Sequence, residues 1–155
     1  MSKENVVSIQ IPEKELNEIK AQVLAVKARL QGFLISLKPA ERQAIAKMSD
    51  KTVPFVEKVT EYVHSHPEFV PPFMQTEELL IDVKAYNDLI QINREIEQLC
   101  TQLDDTVMMS GSEAYLAALA YYNSVKQAAK MNVPNAKSIY KDLKQRFDKK
   151  IEKKQ

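Results

Sequence analysis

Hydrophobic side chains recur at helical spacing through the first part of the chain. From Leu16 to Leu37 the apolar positions alternate in steps of three and four, which is typical of one buried helical face. Pro12 suits the first turn of a helix, and Pro39 ends it, because the residue before a proline is pushed out of the helical region. The pattern predicts a first helix that ends near Leu37. Its stripe consists of Leu16, Ile19, Val23, Val26, Leu30, Phe33 and Leu37.

Three more helical layers follow from the same reasoning. Residues 39–66 form the second layer as two pieces, with Pro54 in the first turn of the longer piece. A third helix begins at Thr76, and the turn at 110–113 separates it from a fourth, because Gly111 and a capping-box spacing indicate a helix end. The segment NVPN at 132–135 then starts a last helix. We predict an all-α protein, an antiparallel up-down four-helix bundle with broken second and fourth layers made by short extra helices.

The two ends of the chain are predicted to stand apart from this bundle. Val7, Ile9 and Ile11 alternate with polar residues, so residues 1–11 are expected to form an extended arm. Residues 148–155 form a basic tail, and we expect both ends to be flexible. A length of 155 residues suits one hydrophobic core. We therefore predict a single domain over 1–155.

The amino-acid composition predicts long helices, and the single cysteine fits a reducing compartment. The chain has only two glycines, and sheets and hairpins need more of them for their turns. No apolar run approaches the roughly 20 residues of a membrane span, and the first residues lack the hydrophobic stretch of a signal peptide. Cys100 has no second cysteine to pair with, and its leucine neighbours predict a buried structural thiol. These features predict a cytoplasmic protein without a membrane partner.

Charge is unevenly distributed along the chain. Residues 76–113 carry nine acidic side chains against Lys84 and Arg94, whereas residues 141–155 carry seven basic side chains against three acidic ones. The basic end could contact phosphates, but acidic residues interrupt it and no aromatic platform for stacking bases accompanies it. The pattern argues against nucleic acid as the partner.

Four stretches of the sequence are similar to a family of small bacterial helical-bundle proteins with no assigned activity. They are VSIQIPEKELNEIK, KMSDKTVPFVEKVTEYV with its continuation HPEFVPPF, LDDTVMMSGSEAYLAALAYYNSVK, and VPNAKSIYKDLKQRF. The resemblance extends from Val6 to Phe147. It implies a helical bundle and brings no substrate, cofactor or catalytic residue with it.

One candidate ligand site lies around the predicted turn between the third and fourth helices. A pair of carboxylates near tyrosine rings could serve a small-ligand binder or an enzyme if the turn folded them into one cleft. Adjacent residues of a helix point about 100° apart, however, so the two aspartates cannot both face one pocket squarely. A solvated helix surface is the alternative reading. The candidate lining residues are Asp104, Asp105, Tyr115, Tyr122 and Asn123.

A second candidate is a partner-binding loop. The segment HPEFVPPFMQ combines three prolines with large apolar side chains, and exposed aromatic surfaces often mark partner sites. Folding back over the end of the bundle is the alternative. The candidate contact residues are Phe69, Val70, Phe73 and Met74.

Metal binding and catalysis have little support in the sequence. Glu61 and His64 have the spacing of a metal-binding helix, but the di-metal bundles require two such motifs and this chain has only the histidines 64 and 66. Both histidines suit a helix C-terminus instead. No glycine-rich phosphate loop or nucleophile elbow is present in the sequence. We predict no metal, cofactor or catalytic residue.

The sequence favours a non-enzymatic helical interaction or scaffold module. A protein partner or self-association is expected, with the Phe69–Met74 loop and the Val7–Ile11 arm as the contact surfaces. The alternative is a small-ligand binder or enzyme that uses a polar cleft between the third and fourth helices.

Overall fold

The fold, seen in a computed structural model, is all-α. The structure describes the backbone of residues 5–152 and the side chains of residues 5–147, and this range contains no β-strand. The helices are α1 (Glu13–Leu30), α2 (Pro39–Ala44), α3 (Val53–Ser65), α4 (Thr76–Lys130) and α5 (Ala136–Glu152), with a 3-10 turn at Pro67–Phe69.

Helix α1 starts where the sequence predicts and ends earlier. The Leu16 amide donates to the Pro12 carbonyl at 2.9 Å, and Glu13 and Glu15 complement the positive end of the helix dipole. The prediction that this helix reaches Leu37 is wrong, because a turn over 31–33 follows α1. Gly32 lies in that turn, and glycine is among the residues least favourable to helix continuation.

The segment 39–66 folds as two separate helices, α2 and α3, as predicted. In front of α2 the Lys38 amide donates to Glu41 Oε2 at 2.7 Å, so the side chain caps the helix start. Before α3, the Ser49 amide donates to Thr52 Oγ1 at 2.8 Å. Pro54 then falls in the first turn, where its missing amide hydrogen leaves no hydrogen bond unmade.

The predicted break between the third and fourth helices is wrong. Helix α4 runs without interruption through Ser110–Glu113. Gly111 has no positive φ angle, so it does not take the left-handed conformation of a helix-ending glycine. Methionines before this segment and alanines after it favour a helix, which offsets a cost of about 1 kcal/mol for one interior glycine.

Gly111→Ala is therefore expected to stabilise the protein. The position is helical, and a Cβ added there meets no heavy atom within 4 Å, so the substitution should raise the free energy of unfolding by about 0.5–1 kcal/mol. Urea unfolding followed by circular dichroism measures this change. Destabilisation by the alanine would show that residue 111 is a turn after all.

The connection between α4 and α5 is a Schellman turn. The Val133 amide donates to the Ala128 carbonyl at 3.0 Å, and the Asn132 amide donates to the Ala129 carbonyl at 3.3 Å. Asn132 supplies the left-handed residue, with φ of 58°. The chain then reverses into α5, as the NVPN segment predicts.

Side-chain burial differs from the sequence prediction. Among the side chains described, only Val125, Ala129 and Ala136 are buried hydrophobic residues. The α1 stripe, predicted to be buried in a common core, is open, with Val23 57% exposed. Cys100, predicted to be a buried thiol, is exposed. The all-α class is confirmed, and the prediction that one chain buries the apolar faces of its helices is wrong.

Contacts divide the chain into two compact units. One comprises Met1–Ile9 with Leu99–Gln155, and the other comprises Gln10–Gln98. The prediction of a single domain is not tested by this division.

Candidate functional site

An open apolar trough lies in the unit of residues 10–98. It occupies about 320 Å³. Leu30 and Leu34, from the end of α1 and the segment after it, line it together with one face of α4. Ile92 and Ile96 of this face are 41% and 40% exposed, a large fraction for isoleucines that follow a helical stripe. The α4 residues that line the trough are Tyr86, Leu89, Ile90, Ile92, Asn93 and Ile96.

The segment that leads into α3 contacts α4 beside this trough. Arg94 Nη2 of α4 donates to Asp50 Oδ1 at 2.7 Å, just before α3 begins. Val53 and Pro54 of α3 line a second cavity with Arg94. The ion pair is exposed, so it orients the segment more than it stabilises the fold.

The predicted partner-binding loop forms one wall of a groove against α3. The groove occupies about 500 Å³. Of the four predicted contact residues, Phe69, Val70 and Met74 line this groove. The fourth, Phe73, is 89% exposed and does not line it. The His66 ring stacks on Phe69 with 6.3 Å between centroids. The loop is therefore ordered against α3, and its role in partner binding stays a prediction. The remaining lining residues are Val59, Tyr62, Val63, His66 and Pro71.

The predicted ligand cleft depends on a turn that the structure does not contain. Asp104 and Tyr115 lie on the same helix, eleven residues apart, which corresponds to about 16 Å along its axis. Asn123 lies a further eight residues along. The candidate residues therefore follow one another along a single helix instead of lining a cleft between two helices. The prediction of that cleft is wrong.

Tyr122 has a structural environment of its own. Its ring lies 5.6 Å from the ring of Tyr140 and 5.7 Å from that of Phe147, centroid to centroid, so it joins α4 to α5. Such pairs contribute about 0.5–1.5 kcal/mol beyond the area they bury. The arrangement explains Tyr122 as a packing residue. Ligand binding by Asp104, Asp105, Tyr115, Tyr122 and Asn123 stays a prediction.

The ExxH spacing of α3 is occupied by local contacts. His64 Nδ1 lies 2.8 Å from the Thr60 carbonyl, to which it donates. Glu61 pairs with Lys58 on the same helix. Over the part of the chain that the structure describes, no three His, Cys, Asp or Glu side chains are grouped so as to hold a metal ion.

A contact that the sequence did not reveal holds the N-terminal arm. The Val6 amide donates to Glu113 Oε1 at 2.6 Å and the Val7 amide donates to Oε2 of the same side chain at 3.3 Å. The capping-box spacing predicts Glu113 as a helix-capping residue. Val6 and Glu113 are 107 positions apart, and no sequence signal indicates their pairing. Ile9 and Ile11 remain exposed beyond it.

The fold and these surfaces define an all-helical protein with open apolar faces. No helix in the described range combines the length and the apolar character that crossing a membrane requires. Comparison with protein-family models, with curated proteins and with solved structures finds no match to this chain. The family resemblance inferred from the sequence therefore stays a prediction.

Proposed function

We propose that this protein is a non-enzymatic helical scaffold that assembles with further copies of itself. The observation that carries the proposal is the amount of surface left open. The chain exposes 14176 Å², whereas a folded monomer of 17.7 kDa exposes about 8000 Å². The difference is about 6000 Å² per chain, compared with the roughly 2000–5000 Å² that obligate homodimer interfaces bury in total.

The open surface has the chemical character of an interface. Exposed large hydrophobic residues follow regular stripes on α1 and α4 rather than being scattered singly, and contiguous apolar patches of this kind mark sites of association. A second copy would remove the stripes from water at about 25 cal/mol per Å². Large apolar interfaces of this kind are typical of obligate homodimers.

The four-helix packing predicted from the sequence fits this proposal when helices come from more than one chain. Two copies supply two α1 helices and two α4 helices, which is the number that a four-helix bundle needs. The proposal places the assembly in the cytoplasm, the compartment expected from the sequence.

Sedimentation velocity and native mass spectrometry test the proposal. At about 10 μM we expect a dimer or a larger closed oligomer, because interfaces of this size usually bind in the nanomolar range or tighter. Native mass spectrometry reports subunit number and retained small molecules together. A monomer up to about 500 μM, which corresponds to less than about 5 kcal/mol of association free energy, would refute it.

A further inference from the structure

The apolar stripes of α1 and α4 share one repeat. On α1 the steps of three and four place alternate stripe residues at the first and fourth positions of a heptad, and the same holds for Leu89, Ile92 and Ile96 on α4. Heptad stripes are the surfaces by which helices pack side by side in coiled coils. The two faces are thus matched in period.

The edges of the two stripes carry opposite charges at the same spacing. Lys20 and Lys27 lie seven residues apart along one edge of the α1 stripe, and Asp88 and Glu95 lie seven residues apart along one edge of the α4 stripe. All four side chains are exposed. In coiled coils, charges at such edge positions set partner choice and helix direction.

One register brings both pairs of charges together. With the helices parallel and Leu16 opposite Leu89, Ile19 falls opposite Ile92 and Val23 opposite Ile96. In parallel pairing an edge residue meets the residue five positions further along the partner. Asp88 then meets Lys20, and Glu95 meets Lys27. A shift by one heptad leaves only one acid–lysine pair, either Asp88 with Lys27 or Glu95 with Lys20.

The edge of α4 that carries the acids faces away from the chain's own lining of the trough. Leu30 and Leu34 line the trough together with Tyr86 and Asn93 of α4. Tyr86 and Asn93 lie on the edge of the α4 stripe opposite to Asp88 and Glu95. Antiparallel pairing would bring the two lysines against that opposite edge and would pair Arg29 with the acids instead. Charge complementarity therefore favours the parallel arrangement.

We propose that α1 of one copy lies parallel to α4 of a second copy over the Leu89–Ile96 stripe, with Lys20 and Lys27 against Asp88 and Glu95. The proposal rests on the self-association proposed above. A two-fold axis makes it reciprocal, so each dimer contains the contact twice. Asp88 already pairs with Lys84 on its own helix, and a carboxylate has lone pairs for both cations.

The test uses two charge-reversed variants, K20E/K27E and D88K/E95K. Alone, each places like charges at all four contacts of the dimer, and we expect its dissociation constant to rise about 100-fold. Mixed in equal amounts, they form a heterodimer in which every contact is again between opposite charges. We expect the mixture to recover wild-type affinity in sedimentation velocity, with the mixed mass in native mass spectrometry.

R29E serves as the control, because the parallel arrangement places Arg29 away from both acids, and we expect it to dimerise as wild type. Circular dichroism verifies that every variant keeps its helix content. Variants that dimerise as wild type, or a mixture that stays weak, overturn this pairing while the self-association stands. Loss of the dimer in R29E would show the antiparallel arrangement instead. A monomeric wild type overturns both proposals.

Discussion

The double variant Ile92→Asn, Ile96→Asn is expected to be a monomer at concentrations where we expect the wild type to be a dimer. Each isoleucine removed from water by a partner contributes about 1.5–3 kcal/mol, and a symmetric dimer contains each twice. Replacing both by asparagine also places amide groups in an apolar interface without partners. We expect the dissociation constant to rise by more than about 1000-fold, measured by sedimentation velocity.

Ile35→Asn is the matched control. Ile35 is 84% exposed, more than either stripe residue, and it lies outside every helix of the described range. If exposure of isoleucine alone determined association, this variant would weaken the dimer as much. We expect it to dimerise normally and to keep its helix content. A double variant that remains dimeric would show that the α4 stripe is not the interface.

The two stripes and the loop groove differ in what they imply for function. The stripes are long, regular and edged by charges, which suits a helix of a second copy. The groove between α3 and Phe69 is short and almost wholly apolar. Self-association through the stripes would therefore leave the groove free for a different molecule.

Helix positions follow from local chemistry, and most of them could be predicted. The start of α3 beside Pro54, the start of α4 at Thr76 and the reversal before α5 each depend on residues within one turn of the boundary. Caps, prolines and dipoles act over that range. The sequence therefore predicts these boundaries correctly.

The errors at Leu37 and Ser110 have a different cause. At each boundary two local free-energy contributions of about 1 kcal/mol oppose each other. One is the cost of a glycine in a helix, and the other is the gain from continuing the helix. At Gly32 the helix ends, and at Gly111 it continues. Single-residue preferences of this size do not decide the outcome, because the residues on both sides contribute similar amounts.

Burial could not be predicted from the stripe pattern. A repeat of three and four shows that a face will be removed from water, without showing whether the same chain or another chain covers it. The pattern predicts that the α1 stripe faces an internal core, and the structure leaves Val23 exposed. The contact of Glu113 with Val6 was missed for a similar reason, since backbone amides carry no sequence signature.

Tyr122→Ala is expected to destabilise the pair formed by the end of α4 and α5 more than any other single truncation there. The Tyr122 ring contacts both Tyr140 and Phe147, so its removal takes away two aromatic contacts and leaves a gap between them. For a half-buried ring we expect a loss of about 2–3 kcal/mol in the free energy of unfolding. Urea unfolding measures the loss, and faster amide exchange in residues 136–147 locates it.

Tyr121→Ala provides the comparison, since it removes the same ring one position earlier on the same helix. Tyr121 is 59% exposed, and adjacent helical residues point about 100° apart, so its ring lies away from the α5 aromatics. We expect a change of less than about 0.5 kcal/mol. Equal losses for the two variants would contradict the packing role of Tyr122. Unchanged stability in both would mean that the three rings do not hold α5 to α4.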